Sequence, residues 1–337
     1  MERRPILTIA IPTYNMEQWL EKNLKTYRDS SLYNRLEVLC LNNASEDSSK
    51  DIARRYAEQC PQIFTLIDRN SRGYGGSINE AIKRANGVYF RIVDADDWVD
   101  TGELIKQVDA LEKCEADVVL TDYEIVQMKT GAMMPVRAGD QGATYNEEQY
   151  EFSGPLRTLP SIHGTTYRTD LLRTGGFRMQ DNIFFVDEEY VILPYLSAKS
   201  VIYFPFDIYR YQVANPEQST SPKNRAKYWE HRDKILRRLI CEYQNILLSD
   251  RENPALDYCF ERIKRGVGDH FTTLYMYMEE RKAGWRLAAE WRNYIKQQAP
   301  EFWRCVRVKS SILALLNRAG VSLSCYRQIK RRILRER

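Results

Sequence analysis

Three carboxylates fall within four residues at Asp94-Ala95-Asp96-Asp97. Like charges this close raise one another's pKa unless a cation sits among them. A divalent ion supplies that charge, and Mg²⁺ or Mn²⁺ suits carboxylates combined with substrate phosphates. The plainer reading is a helix start, with Asp96 or Asp97 capping a helix that begins near Thr101. Two further polar turns, Pro12-Thr13-Tyr14-Asn15 and Asn42-Asn43-Ala44-Ser45, carry groups suited to a ligand. A glycine-rich run, Gly73-Tyr74-Gly75-Gly76-Ser77, precedes a helical pattern and can bring backbone N–H groups to an anion, although it lacks the Lys of a P-loop.

The elements that must position these turns alternate along the first 120 residues. Strand-like runs at Ile6–Ile11, Leu36–Leu41, Ile63–Ile67, Val88–Val93 and Asp117–Thr121 are separated by helical patterns. The first helix spans Glu17–Asp29, with Trp19, Leu20, Leu24 and Tyr27 on one face. Ser45 is placed to cap the second, Gly76–Asn86 forms the third and Thr101–Cys114 the fourth. Short links between strands and helices predict a parallel sheet covered on both faces, with all strand C-termini on one edge. Ligands bind at that edge, where the three polar turns converge. Lys129–Tyr145 reads as a hairpin or loop, and the chain reads as helical from about residue 222, with breaks near Pro254, Pro300 and Gly320.

Taken in order, Ile11-Pro12-Thr13-Tyr14-Asn15, residues 42–47, Asn70-Ser71-Arg72-Gly73 with Asn79, and Asp94-Ala95-Asp96-Asp97 resemble the donor-binding half of the family 2 inverting glycosyltransferases. The resemblance covers residues 5–221. It implies a GT-A fold: an α/β, Rossmann-like, mostly parallel sheet with flanking helices, here followed by a helical C-terminal extension. It also implies a nucleotide-sugar donor, usually a UDP-sugar, and Mn²⁺ or Mg²⁺ bridging the DxD pair Asp94 and Asp96 to the pyrophosphate. By the same resemblance Pro12, Thr13 and Tyr14 line the base and ribose pocket, joined by Asn43, Arg72, Asn79 and Ala95. One departure is Asn43, where the family usually carries an Asp that contacts the uracil ring. An amide keeps hydrogen-bonding capacity but not charge, so a nucleoside diphosphate is better supported than UDP in particular.

An inverting transfer needs one general base to take the acceptor hydroxyl's proton. The segment Phe184-Phe185-Val186-Asp187-Glu188-Glu189-Tyr190 is similar to the family's acidic base motif, with Asp187 the first choice and Glu188 the second. Its apolar surroundings raise a carboxylate's pKa toward a useful value. The competing reading is an acidic helix start. His163 invites a catalytic reading but is more often a hydrogen-bonded structural residue. Arg210 can pair with phosphate or with acids, and Gln218-Ser219-Thr220-Ser221 matches the close of the family's catalytic domain.

These assignments divide the chain into a catalytic domain at 1–221, with a donor half to about 121 and an acceptor half from 122, and a helical region at 222–337. The chain has 337 residues, 28% of them charged and 43% hydrophobic, which excludes disordered, collagen-like and polytopic membrane classes. The N-terminus shows no signal-peptide pattern, and seven scattered Cys without metal-ligand spacing predict reduced thiols and a cytoplasmic setting. The net charge of +4 is uneven. Residues 303–337 hold ten Lys and Arg and one acid, a net +9, which leaves −5 for residues 1–302. A basic tail with interleaved Ile and Leu predicts contact with the inner face of an anionic plasma membrane; packed helices or an acidic partner are the alternatives. The expected acceptor is a glycan or lipid-linked saccharide hydroxyl. No nucleic acid is expected, and a homo-oligomer is compatible with the sequence. The rival functions are a nucleotidyltransferase, which needs a basic Gly-rich loop after the first strand, and a non-catalytic scaffold using the tail.

Overall fold

The structure, a computed structural model, describes residues 4–138, 150–151, 160–213, 222–321, 325–326 and 328. The expected features at 139–145 and 218–221, and most of the tail beyond residue 321, lie outside these residues. Two compact units are present: residues 1–215 with 250–258, and 216–249 with 259–337.

The first unit opens with β1 (Leu7–Thr13), α1 (Glu17–Lys25), β2 (Leu36–Asn43), α2 (Ser49–Gln59), β3 (Phe64–Arg69), α3 (Tyr74–Arg84) and β4 (Tyr89–Ile92). β1 is buried along its whole length, as the apolar run Leu7-Thr8-Ile9-Ala10-Ile11 demands of a strand covered on both faces. It pairs parallel with β2 on one side and β4 on the other, and β3 adds to β2. Pairing with β4 ends at Ala10, so Pro12 lies where its missing N–H costs no bond to that strand. The C-terminal ends of all four strands therefore share one edge.

β5 (Trp98–Val99), α4 (Thr101–Leu111), β6 (Val118–Gln127), β7 (Met133–Val136), β8 (Tyr150–Glu151), β9 (Thr165–Arg168), α5 (Thr169–Thr174), α6 (Asp187–Tyr190) and β10 (Ser200–Val213) complete the sheet. Its order is β3-β2-β1-β4-β9-β6-β10-β5. β9 runs antiparallel between β4 and β6. β10 pairs with β6 throughout, with a register shift around Asp207. Such an irregularity bends a strand and re-aims its side chains. β10 then pairs antiparallel with β5 through Tyr209 and Arg210.

Two expected caps fall elsewhere. α4 is capped by Asp100, whose Oδ1 accepts the Glu103 N–H at 3.0 Å, so neither Asp96 nor Asp97 is used in this way. α2 begins at Ser49, where Asp47 Oδ1 accepts the Ser49 N–H. Ser45 instead accepts the Asn15 N–H. The second unit holds α7 (Pro222–Lys227), α8 (Trp229–Ser249), most of α9 (Leu256–Thr272), a π-helical turn (Thr273–Tyr277), α10 (Arg281–Gln298) and α11 (Pro300–Arg318).

Candidate active site

The acidic turn follows β4 and is held from three directions. On α1 the buried stripe is Leu20, Asn23 and Leu24. The Asn23 amide donates to the carbonyls of Asp94 and Asp97 at 3.0 and 2.9 Å. From β10 the Tyr209 hydroxyl accepts the Asp94 N–H at 3.1 Å and donates to Asp97 Oδ2 at 2.5 Å. The Gln212 N–H donates to Asp97 Oδ1 at 2.7 Å. Asp97 is thus a buried brace with both oxygens engaged, and Asp94 and Asp96 form the part of the turn left half-exposed at the cleft.

Electrostatics mark these acids. Loss of solvation, then the charge of Asp96, pushes Asp94 up to about 7; a hydrogen bond from Tyr74 opposes the rise and the charge of Asp187 adds to it. That bond runs from the Tyr74 hydroxyl to Asp94 Oδ1 at 2.8 Å. Asp96 is raised by loss of solvation. Asp97 is raised well above the usual range by burial and by its two acidic neighbours. A group of acids that resists ionisation in this way fits a site completed by a cation. Ligand atoms of Asp94, Asp97 and His163 also lie within 4.8 Å of one another. Carboxylate oxygens suit Mn²⁺ or Mg²⁺; both oxygens of Asp97 are engaged by Tyr209 and Gln212, and Oδ1 of Asp94 by Tyr74.

His163 is packed between rings, stacked on Tyr211 at 4.0 Å and tilted toward Tyr209 at 4.8 Å and Tyr123 at 5.3 Å. Its Nδ1 lies 2.8 Å from Ser161 Oγ. Loss of solvation and the nearby Arg91 guanidinium push it down to about 3, so it stays neutral at physiological pH. Arg91 is fully buried and bonds the His163 carbonyl and Thr121.

Asp187 opens α6 and is exposed. Its charge adds to the raised pKa values of Asp94, Tyr74 and Tyr211, so it lies near the acidic turn. Glu188 is half-buried. Glu189 is buried and accepts the backbone and side-chain N–H groups of Gln180 at 2.7 and 2.9 Å, a structural use of one acid of the trio. The chain enters α6 through Asn182 (φ 58°) and Phe185 (φ 68°). A left-handed phenylalanine is strained, and such strain clusters at functional sites.

The donor-side residues line the ends of β1 to β3. Pro12 is buried in β1, and Thr13 is buried with its hydroxyl on the Ile11 carbonyl. Tyr14 is half-buried beneath the Arg72 guanidinium, 4.7 Å from its ring centroid, and Arg72 pairs with Glu46. Asn43 is buried, with Oδ1 accepting from Arg69 at 2.6 Å and Nδ2 donating to Ser77 at 3.3 Å. Ala95 is buried inside the acidic turn. Asn79 is turned away from this edge: its amide exchanges two hydrogen bonds with the Met179 backbone, at 2.8 and 2.9 Å. Arg210 is engaged by Glu124 at 3.2 Å and Asp100 at 3.4 Å.

The glycine-rich turn serves close packing. A Cβ on Gly75 would lie 1.9 Å from the Gln180 carbonyl oxygen, and Gly73 has φ +133°. The Gly76 N–H donates to Asp181 at 2.9 Å, so a carboxylate of the chain itself takes the place expected for a bound anion. Sequence reasoning missed Asn23, and it singled out the runs that hold Tyr74 and Tyr209 without foreseeing that these two hydroxyls brace the acidic turn. Asn23 left a signal of its own, as a polar residue on the apolar stripe of α1.

The model of glycosyl transferase family 2 matches residues 8–177 of this chain. EpsH of Bacillus subtilis (strain 168) is 25% identical over 62% of this chain; the chain spans 61% of EpsH's own length. Among solved structures, TarS of S. aureus, residues 1–349 in complex with UDP-GlcNAc, superposes with a TM-score of 0.58 at 18% identity, over 96% of this chain and 92% of that one. The mannosyltransferase PcManGT of Pyrobaculum calidifontis, in complex with GDP-Man and Mn²⁺, gives 0.50 at 20% identity, over 95% and 89%. The fold is GT-A.

Proposed function

The chain belongs to glycosyl transferase family 2, and from that membership we propose that it transfers a sugar from a UDP-sugar to a hydroxyl of a cell-surface polysaccharide or lipid-linked acceptor, with inversion at the anomeric carbon. The observation that carries this reading is that the charge of Asp187, at the start of α6, acts on Asp94 in the acidic turn that follows β4. The UDP-GlcNAc bound by TarS supports the donor class, and the Mn²⁺ bound by PcManGT supports the cofactor.

In this mechanism Asp187 accepts the proton of the acceptor hydroxyl as that oxygen attacks the sugar. Asp94 and Asp96 would hold Mn²⁺ or Mg²⁺, which would supply positive charge against the departing diphosphate. Tyr74 fixes the orientation of Asp94 from one side, and Asn23 and Tyr209 hold the backbone of the turn from the other. Tyr14 and Arg72 offer a flat ring and a guanidinium for the nucleobase end of the donor. Neutral Asn43, already bonded to Arg69 and Ser77, sits beside them in place of a charged carboxylate.

Thermal melting with a panel of nucleoside diphosphates, with and without Mn²⁺, tests the donor site. UDP plus Mn²⁺ raises the midpoint because the ligand binds the folded state; no shift with any nucleotide sinks the proposal. Asp187→Asn then loses transfer by roughly a hundredfold or more while retaining the UDP shift. Undiminished transfer in that variant moves the base to Glu188 or elsewhere.

A further inference from the structure

α11 is amphipathic in an unusual sense, because both of its long faces carry apolar residues. The inward face buries Phe302, Val306 and Leu313 within the second unit, together with Ser310 and Asn317. The outward face presents Val308, Ile312 and Leu315 at i, i+4 and i+7, which are 63, 52 and 64% exposed. Spacing of this kind aligns side chains along one stripe of a helix. Scattered exposed apolar residues need no explanation, but three aligned on one helix do.

The charges beside the stripe identify its partner. Arg304, Arg307 and Arg318 are exposed, Arg318 with its guanidinium 4.5 Å over the Trp285 ring, and α11 carries no acid after Glu301. Lys309, on the other flank, is engaged by Asp269 at 2.9 Å. We propose that this outward face seats on an anionic lipid surface, with Val308, Ile312 and Leu315 entering the interface and the three arginines at headgroup level. An apolar stripe bordered by arginines gains both from burial among acyl chains and from attraction to anionic headgroups. A second copy laid on the same stripe would set each cluster of arginines against its own image. A nucleic acid would use the arginines and leave the stripe in water. No helix among the described residues is long and apolar enough to cross a membrane. This seating is separate from the transfer chemistry proposed above, so UDP-induced thermal stabilisation serves as a control that the first unit is intact.

The test is co-sedimentation of the full chain with vesicles of phosphatidylcholine alone, or of phosphatidylcholine mixed with phosphatidylglycerol. The chain pellets with the mixed vesicles and is released by salt. The double variant Ile312→Glu, Leu315→Glu binds them roughly a hundredfold more weakly, at an unchanged melting midpoint. Arg304→Gln with Arg307→Gln weakens binding by roughly thirtyfold. Equal binding by the parent and the Ile312/Leu315 variant, or no preference for the anionic vesicles, overturns the proposal. A dimer in light scattering that the same double variant dissolves assigns the stripe to a second copy and also overturns it.

Discussion

Asp94 shows how much chemistry one environment adds to an ordinary carboxylate. Its pKa stands at about 7 in the folded chain, above the value it has when unfolded. Between about pH 4 and pH 7 the folded state therefore holds a proton that the unfolded state has released, and stability falls as pH rises through that window. Asp94→Asn removes this penalty. Thermal melts across pH should find the variant equal to the parent near pH 4 and more stable than it above about pH 7, with Mn²⁺ narrowing the gap by stabilising the parent. A constant difference at all pH values would contradict this account. The acids themselves were legible in the sequence, because three carboxylates in four residues at the end of an apolar strand repel one another unless a cation or a brace joins them. Their braces were not. Tyr209 and Tyr74 are two tyrosines among 22, and they are joined to the turn by bonds across 115 and 20 positions that only the fold creates.

At the scale of elements, α3 and the segment that leads into α6 act as one assembly. Asn79 bonds Met179, Gly76 bonds Asp181, and Gly75 lets the Gln180 carbonyl approach. Gly75→Ala is expected to destabilise the chain by about 1–3 kcal/mol, as over-packing does, and to weaken transfer by displacing the approach to Asp187. Chemical denaturation and initial rates check the two effects; a variant as stable as the parent would remove α3 from this role. The run of glycines was visible in the sequence but suggested an anion cradle, because sequence alone does not distinguish a backbone that approaches a ligand from one that approaches its own chain. The strands β1 to β4 were readable from their apolar runs. The insertion of β9 between β4 and β6, and the continuation of β10 past Pro205, were not, since neither follows from local periodicity.

For the whole molecule, the split of charge between residues 1–302 and 303–337 was plain from counting, but not the fact that the tail begins inside a packed helix. Phe302, Val306 and Leu313 are core residues of the second unit. Deleting residues 303–337 is therefore expected to unfold part of that unit as well as remove cations, and circular dichroism should show a loss of helix larger than the deleted length accounts for. A loss matching the deleted residues alone would argue that α11 is an appendage. The return of residues 250–258 to the first unit was likewise beyond sequence reasoning. It depends on contacts such as that of Asn253 with the Leu196 carbonyl at 3.1 Å, which join distant positions.

The pairing of β5 with β10 fastens the acidic turn at its far end, while β4 fastens it at the near end. The Asp100 N–H adds a bond to the Ile208 carbonyl at 2.8 Å. A loop stapled at both ends to one sheet opens only when the sheet does. Residues 181–186, by contrast, run through two left-handed positions with Asp181, Asn182 and Phe184 exposed. Amide hydrogen exchange should accordingly be slow across 94–99 and fast across 181–184. On the mechanism proposed above, the two halves of the reaction would then differ in timing: the donor side would stand ready before any substrate arrives, and the segment leading to Asp187 would settle into place afterwards.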